Sequence, residues 1–439
     1  MGALAHVVAA IGIIISSISA LSHPACYVDP ALHRLAAKEF TVHGLLLHNN
    51  LPRVCFPQDA PKSVPAAGDV TLAYVTPWNR DGYTETLLHA NKLTHVSPVW
   101  YTLKITAPKG GFKDGSRPAE VVLEGEAEIN ATWLQQLPRH IQVVPRFQVQ
   151  FDTSATLRQV LFFPRNELID AAKRMALLMK ETGQRRGYDG LVLELPASAM
   201  PFKMFIQTLS HELKRQNQSL ILVIPAEHGL GTSRAFKRQE GHGISRRELQ
   251  ILSPYIDLFS LVSYDHAQST GREVGNSPVR WLQLVLDKLT GIRTQQSGRP
   301  GIDGSADAEL DALEDEDEDD EDEQDDEDDT AEGIRGTEVD VSRKILLGIP
   351  FYGFTMTSDG VLNTITKTEL LSLLQFSMNG LRLNWLDEDK EHVFDMPIWR
   401  IWFTSLLGLL WRVHIARERV GGVAIWDAGQ GLSIYYDVL

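Results

Sequence analysis

The chain has 439 residues, 43% hydrophobic and 23% charged, which is room for one large α/β domain or two ordinary ones. Its formal charge of -15 is local, because the stretch 314–329 holds fifteen acids in sixteen residues and leaves 42 acids against 42 Lys+Arg elsewhere. The near-neutral remainder has no basic stripe and no zinc-ligand spacing, which excludes a nucleic-acid surface, and two cysteines without a Cys-x-x-Cys exclude a redox or zinc centre.

Residues 1–22 are apolar, with the run 11–15 as a hydrophobic segment and Ala20-Leu21-Ser22 as small residues at cleavage spacing. They are expected to be a signal peptide, with an uncleaved anchor as the alternative. No membrane span is expected after cleavage. A secreted or lysosomal protein follows from this reading. The acceptor tripeptides at Asn130 and Asn217 fit a secretory route. Cys26 and Cys55 would close one disulfide in an exported chain, or remain two free thiols. Residues 23–66 lack periodicity and end in a Pro-rich stretch, so they are expected to be an N-terminal extension.

From residue 67 onward, short apolar runs alternate with amphipathic segments. The runs are 70–76, 93–99, 141–147, 188–195, 220–224, 258–264, 345–350 and 422–426. Helical patterns lie between them at 167–181, 202–216, 246–252, 279–289 and 405–419. Strand-helix alternation implies parallel βαβ units, and eight of them give a (β/α)8 barrel over 67–439. A doubly wound sheet would want a Gly-rich loop after the first strand, and Thr76-Pro77-Trp78-Asn79 is not one. Two insertions are expected: an acidic one at 307–332, too charged to bury a core, and a small α+β excursion at 366–397. A basic protein or a sorting receptor is the partner the acidic run would take.

The strand ends carry aromatics beside polar groups. Tyr74, Trp78, Trp100, Tyr264, Tyr352 and Trp426 are expected at one mouth, with Glu194 and Asp265. Flat rings beside carboxylates suit oligosaccharides, whose C–H faces stack while their hydroxyls take hydrogen bonds. The fourth run, Tyr188-Asp189-Gly190-Leu191-Val192-Leu193-Glu194-Leu195-Pro196, is the most informative. It is an aliphatic strand with an acid at each end, and a buried carboxylate needs a partner. The histidines show no His-x-x-His pair and no Gly-x-Ser-x-Gly elbow is present, so neither metal nor cofactor is read from the chain.

At these residues the chain resembles glycoside hydrolase family 18, the chitinase family. The resemblance rests on 74–79, on Ser97-Pro98-Val99-Trp100, on Tyr188-Asp189-Gly190, on Ser263-Tyr264-Asp265, on 348–353 and on 425–431. Active members carry Asp-Gly-x-Asp-x-Asp-x-Glu on the fourth strand. The last Glu is the general acid, and the Asp before it orients the N-acetyl group that attacks the anomeric carbon, an exception to the two-carboxylate scheme. Carried over, the first Asp is Asp189, the middle Asp is Val192, the orienting Asp is Glu194, and the acid's place falls to Pro196. Tyr264 and Trp426 match the residues that hold the N-acetyl group and floor the sugar. The resemblance therefore implies a catalytically inactive binder of chitin-type or other amino-sugar oligosaccharides. Glu194 shares the face of the missing acid, but residues two apart on a strand are separated by about 6.7 Å, which its extra methylene does not span. A weak hydrolase with a displaced acid, and a scaffold acting through the acidic run, are the other readings.

Overall fold

The computed structural model describes residues 69–109, 111, 119–162, 167–196, 198–227, 243–271, 273–292, 340–376, 382–396 and 399–439. The expected signal, the N-terminal extension, both cysteines and the acidic insertion lie outside the described residues.

The strands are β1 Val70–Val75, β2 His95–Pro98, β3 Tyr101–Thr106, β4 Glu120–Glu124, β5 Gln142–Val143, β6 Arg146–Phe151, β7 Gly190–Glu194, β8 Ser219–Pro225, β9 Leu258–Val262, β10 Ile345–Pro350 and β16 Gly422–Trp426, with β11 to β15 described below. β1 pairs in parallel with β2 and β16, and β16, β10, β9, β8, β7 and β6 follow as parallel neighbours. The second and third barrel strands are each broken, and the breaks are in step. β2 pairs with β5, and beyond the breaks β3 pairs with β6. The sheet thus curls into the expected mixed α/β barrel, and all eight apolar runs contribute a strand.

Side-chain alternation sorts each strand into two cores. Leu72, Tyr74, Val99, Val144, Val192, Ile221, Leu346 and Ala424 fill the barrel interior. Their neighbours Ala73, Val75, Val143, Phe147, Leu191, Leu193, Leu347 and Ile425 face outward into a larger cluster shared with the helices. The helices present matching stripes. In Lys203–Lys214, Phe205, Ile206, Leu209 and Leu213 are buried at helical spacing. Arg246–Leu252 starts with a capping box, Ser245 taking the backbone N–H of Glu248 while the Glu248 carboxylate returns to the Ser245 N–H. Among the described residues no helix is long and apolar enough to cross a membrane.

Two elements differ from expectation. Tyr101–Thr106 continues the second barrel strand and folds back through β4 as an antiparallel hairpin. The insertion after the seventh barrel strand is larger than 366–397. Its sheet takes in β11 Gly353–Thr357, β12 Leu362–Ile365, β13 Arg382–Leu386, β14 Glu391–Asp395 and β15 Trp399–Trp402, antiparallel in the order β12-β11-β15-β14-β13. It begins at Gly353, where a Cβ would lie 2.0 Å from the Trp402 carbonyl oxygen, so only glycine lets the first strand approach the last.

A buried ion pair fastens this sheet to the barrel. Arg412, on helix Leu406–Arg419, lies 3.0 Å from the Glu391 carboxylate of β14, and both side chains are sealed from solvent. Arg412 also donates to the carbonyls of Gly408 at 2.8 Å and Lys390 at 3.2 Å, and to that of Ser277. Burial pushes the Glu391 carboxyl up to about 7, against the pull of Arg412. A raised carboxyl means that the folded state holds the proton more tightly than the unfolded one. This group's contribution is therefore present at acid pH and is lost as pH rises through about 7. Urea unfolding should show wild-type stability falling between pH 5 and 7.5 by on the order of 3 kcal/mol from this group. The fall should be missing in Glu391→Gln, and equal pH slopes in the two proteins would overturn the assignment.

Candidate functional site

The carboxyl ends of the barrel strands meet around Glu194. On β7, Gly190, Val192 and Glu194 share the inward face, so Val192 is packed in the barrel interior and Glu194 stands one step above it. Pairing sets Arg146 beside Val192 and Gln148 beside Glu194 on the neighbouring strand. Arg146 and Gln148, two residues apart, therefore face the same carboxylate. Glu194 Oε2 accepts from Arg146 Nε at 2.5 Å and also from Nη2, and Oε1 accepts from the Gln148 amide at 3.0 Å. Gln148 in turn accepts from Gln150 at 2.7 Å. Both oxygens of Glu194 thus carry donors. Pro196 lies exposed just past the strand end.

Trp426, at the end of β16, is half-buried and forms the floor. The Arg146 guanidinium carbon lies 5.7 Å from its ring centroid, a cation–π contact, and Tyr74 packs at 5.2 Å between centroids, tilted by 59°. Tyr74 is buried inside the barrel and donates to Ser260 Oγ at 2.8 Å. Burial raises its pKa above the ordinary phenol range. Trp426 also packs against a buried cluster of Tyr264, Ala267, Tyr352 and Phe354, and burial raises the Tyr264 pKa too. Gly348 makes room for it, because a Cβ there would lie 2.9 Å from the Tyr264 ring and 2.2 Å from the Leu261 carbonyl oxygen. Tyr352 stands edge-on to Tyr264 at 6.3 Å, almost wholly buried, and its hydroxyl donates to Asp265. Asp265 sits at φ 63°, a left-handed conformation that aspartate tolerates, held by its own N–H donating to Asn276 Oδ1 at 2.7 Å. Burial raises the Asp265 carboxyl, and the Tyr352 bond only partly offsets this.

Asp427 follows Trp426 across a cis peptide bond and organises the rim. Its Oδ2 accepts from Thr76 Oγ1 at 2.8 Å, and its Oδ1 from Asn79 Nδ2 at 2.9 Å and the Gly429 N–H at 3.0 Å. Thr76 and Asn79 bracket Trp78, whose side chain is 67% exposed at the end of the first barrel strand. Burial raises the Asp427 carboxyl, and these hydrogen bonds pull it back.

The expected residues are therefore divided. Tyr74, Glu194, Tyr264 and Trp426 come together, Asp265 and Tyr352 back them, and Trp78 stands on the rim. Trp100 does not join them. Its neighbour Val99 faces the barrel interior, so Trp100 faces out, packed at 6.0 Å against Trp133 and donating to the Tyr83 hydroxyl at 3.1 Å. Asp189 lies at the amino end of β7, where its carboxylate takes the Val143 N–H at 2.8 Å. It ties two strands at the foot of the barrel rather than serving the mouth. Asn130 caps helix Ala131–Gln136 through its Oδ1 at 3.0 Å from the Trp133 N–H, and Asn217 is exposed at φ 57° in the turn before β8. Arg146, Gln148, Ser260, Thr76, Asn79 and Asp427 complete the site and were not among the expected residues. Arg146 closes an apolar run, and nothing in one sequence pairs it with an acid 48 residues away. Among the described residues no group of three or more His, Cys, Asp or Glu is placed to hold a metal ion.

No family model matches the chain. Its fold is similar to solved chitinases. A chitinase from Chromobacterium violaceum aligns with a TM-score of 0.58 at 14% identity, covering 84% of this chain and 97% of that one. A class V chitinase from Pseudomonas fluorescens gives 0.55 at 15% identity, covering 84% and 98%. A glycoside hydrolase family 18 chitinase from Cycas revoluta, solved in complex with (GlcNAc)3, gives 0.54 at 12% identity, covering 84% and 97%. At these identities the likeness shows the fold, a (β/α)8 barrel of the kind those chitinases have.

Asp427→Ala should lower the unfolding free energy by about 3 kcal/mol, because three donors would lose a charged acceptor in a buried setting. Denaturant titration checks this. A change under about 0.5 kcal/mol would mean that water satisfies those donors as well as the carboxylate does.

Proposed function

We propose that this protein is a chitinase-like lectin: it binds amino-sugar oligosaccharides at the carboxyl end of the barrel and does not cleave them. The observation that carries the reading is the state of Glu194. It stands where the family orients the N-acetyl group, and both of its oxygens already accept from Arg146 and Gln148. The position of the family's acid is Pro196, which has no ionisable group. A general acid must reach within about 2.6–3.2 Å of the leaving oxygen, directly or through one water. Glu194 is one step deeper and is held down by two donors.

The sugar-holding parts are kept. Trp426 offers a half-buried ring packed against Tyr74 and against the cluster that holds Tyr264, and the exposed Trp78 adds an aromatic surface at the rim. Such a surface gains from C–H stacking along a chain of sugars, so affinity should grow with oligomer length. The Cycas revoluta chitinase that shares the fold was solved with N-acetylglucosamine oligomers of three and, as a mutant, four sugars.

The test is titration with N-acetylglucosamine oligomers of rising length, followed by tryptophan fluorescence, with a cleavage assay on the same samples. Binding should strengthen with length, no products should form, and Trp426→Ala should weaken binding by at least tenfold. Cleavage that Glu194→Gln abolishes would overturn the reading in favour of a hydrolase with a displaced acid. Neither binding nor cleavage would overturn it in favour of a scaffold acting through the acidic run.

A further inference from the structure

The hydrogen-bonding inventory of the mouth is lopsided. Every carboxylate there already carries a donor: Glu194 from Arg146 and Gln148, Asp265 from Tyr352, Asp427 from Thr76, Asn79 and Gly429. The acceptors of Ser260 and Gln148 each take one donor as well, from Tyr74 and Gln150. Donors without a partner among the described residues include two near Glu194. One is Nη1 of Arg146, whose guanidinium spends only Nε and Nη2, on a single oxygen of Glu194. The other is the Tyr264 hydroxyl. Arg146 is only 9% exposed. Nη1 is not sealed from solvent, so an incoming acceptor can reach it and would exchange water for a charge-assisted bond. Gln148 pins Glu194 from its other oxygen, so the carboxylate cannot turn to cover the open edge of the fork.

An acetamido group needs a donor for its carbonyl and an acceptor for its N–H. A carboxylate needs donors only, and its two oxygens match the open edge of a guanidinium fork. From this juxtaposition, an almost buried arginine fork open over the face of Trp426 beside a free tyrosine hydroxyl, we infer that the deepest sugar site takes a sugar carboxylate, with Arg146 as the specificity-determining residue. The inference rests on the lectin reading and specifies one sugar within the bound chain. The local charge balance permits it. Arg146 and Glu194 cancel, and Asp265 and Asp427 are each already bonded by donors of the chain. A bound carboxylate would complete an acid–guanidinium–acid triad with Glu194 on one edge and the ligand on the other.

The test uses the full chain and three probes in calorimetric titration. They are a tetrasaccharide alternating N-acetylglucosamine with glucuronate, the same molecule with its carboxyls as methyl esters, and the N-acetylglucosamine tetramer. The free acid should bind on the order of tenfold more tightly than its ester, as a charge-assisted bidentate contact is stronger than a neutral one. Arg146→Gln should bring that ratio close to one. Arg146→Lys, which keeps the charge without the fork, should leave an intermediate ratio. In the wild type, raising salt should weaken the acid and leave the ester unchanged, a readout that needs no variant to fold. If the tetramer binds while acid and ester bind alike, or if the ratio survives Arg146→Gln, the carboxylate assignment falls and the lectin reading stands. If none of the three binds, both fall.

Discussion

A carboxylate on the inward face of a barrel strand must be given partners, and the mouth of this barrel is built on how Glu194 is given them. Register decides which partners those are. β6 sets Arg146 and Gln148 on the face that β7 uses for Val192 and Glu194, so an arginine and an amide are delivered to the acid without any loop having to place them. The arginine, drawn toward Glu194, comes to lie over Trp426. The stacking of the guanidinium on the floor tryptophan and its open edge follow from that pairing, while β16 and β1 place Trp426 and Tyr74 themselves. The interaction is favourable only as a set. An unpaired charge at either position would be costly, whereas the pair with its amide partner is tolerable.

The same alternation explains what could be read from the sequence and what could not. The eight barrel runs were legible because strands buried on both faces are nearly continuous in apolar residues. Glu194 was legible for the same reason: counting by two from Val192 puts it on the inner face. Trp100 was misplaced by one residue of parity. It follows Val99 at the break between β2 and β3, and Val99 takes the inward position. Counting aromatics at strand ends ignores which face each one takes. Trp78 lies past the end of its strand, where parity no longer applies, between two residues that bond Asp427.

Arg146 was hidden for a different reason. An arginine closing an apolar run reads as a solvent-facing end cap, and its partner is 48 residues away in sequence. Only the strand register brings the two together, and a single sequence does not print a register. The hairpin of β3 and β4 was missed because Tyr101–Thr106 alternates buried and half-buried residues and directly follows a run already assigned to the second strand. The inserted sheet was entered too late because its first strand starts three residues after β10, with no turn sequence long enough to mark a boundary.

Turnover demands interactions that strengthen as the bond breaks, and so a group that changes its protonation or its partners during the reaction. Around Glu194 the ground state is already satisfied. Both oxygens are engaged, the engaging amide is itself engaged, and the acids of the rim are held by hydroxyl, amide and backbone donors. A proton leaving or arriving would break bonds that the folded chain has made without ligand. The guanidinium over the aromatic floor is already held by Glu194, and a donor held in place favours binding, because it loses little freedom when a ligand arrives. On the proposed lectin reading, Pro196 standing where the resembled family has its acid and the pairing of Glu194 with Arg146 point the same way. The first removes the group that would have to move, and the second fixes those that remain.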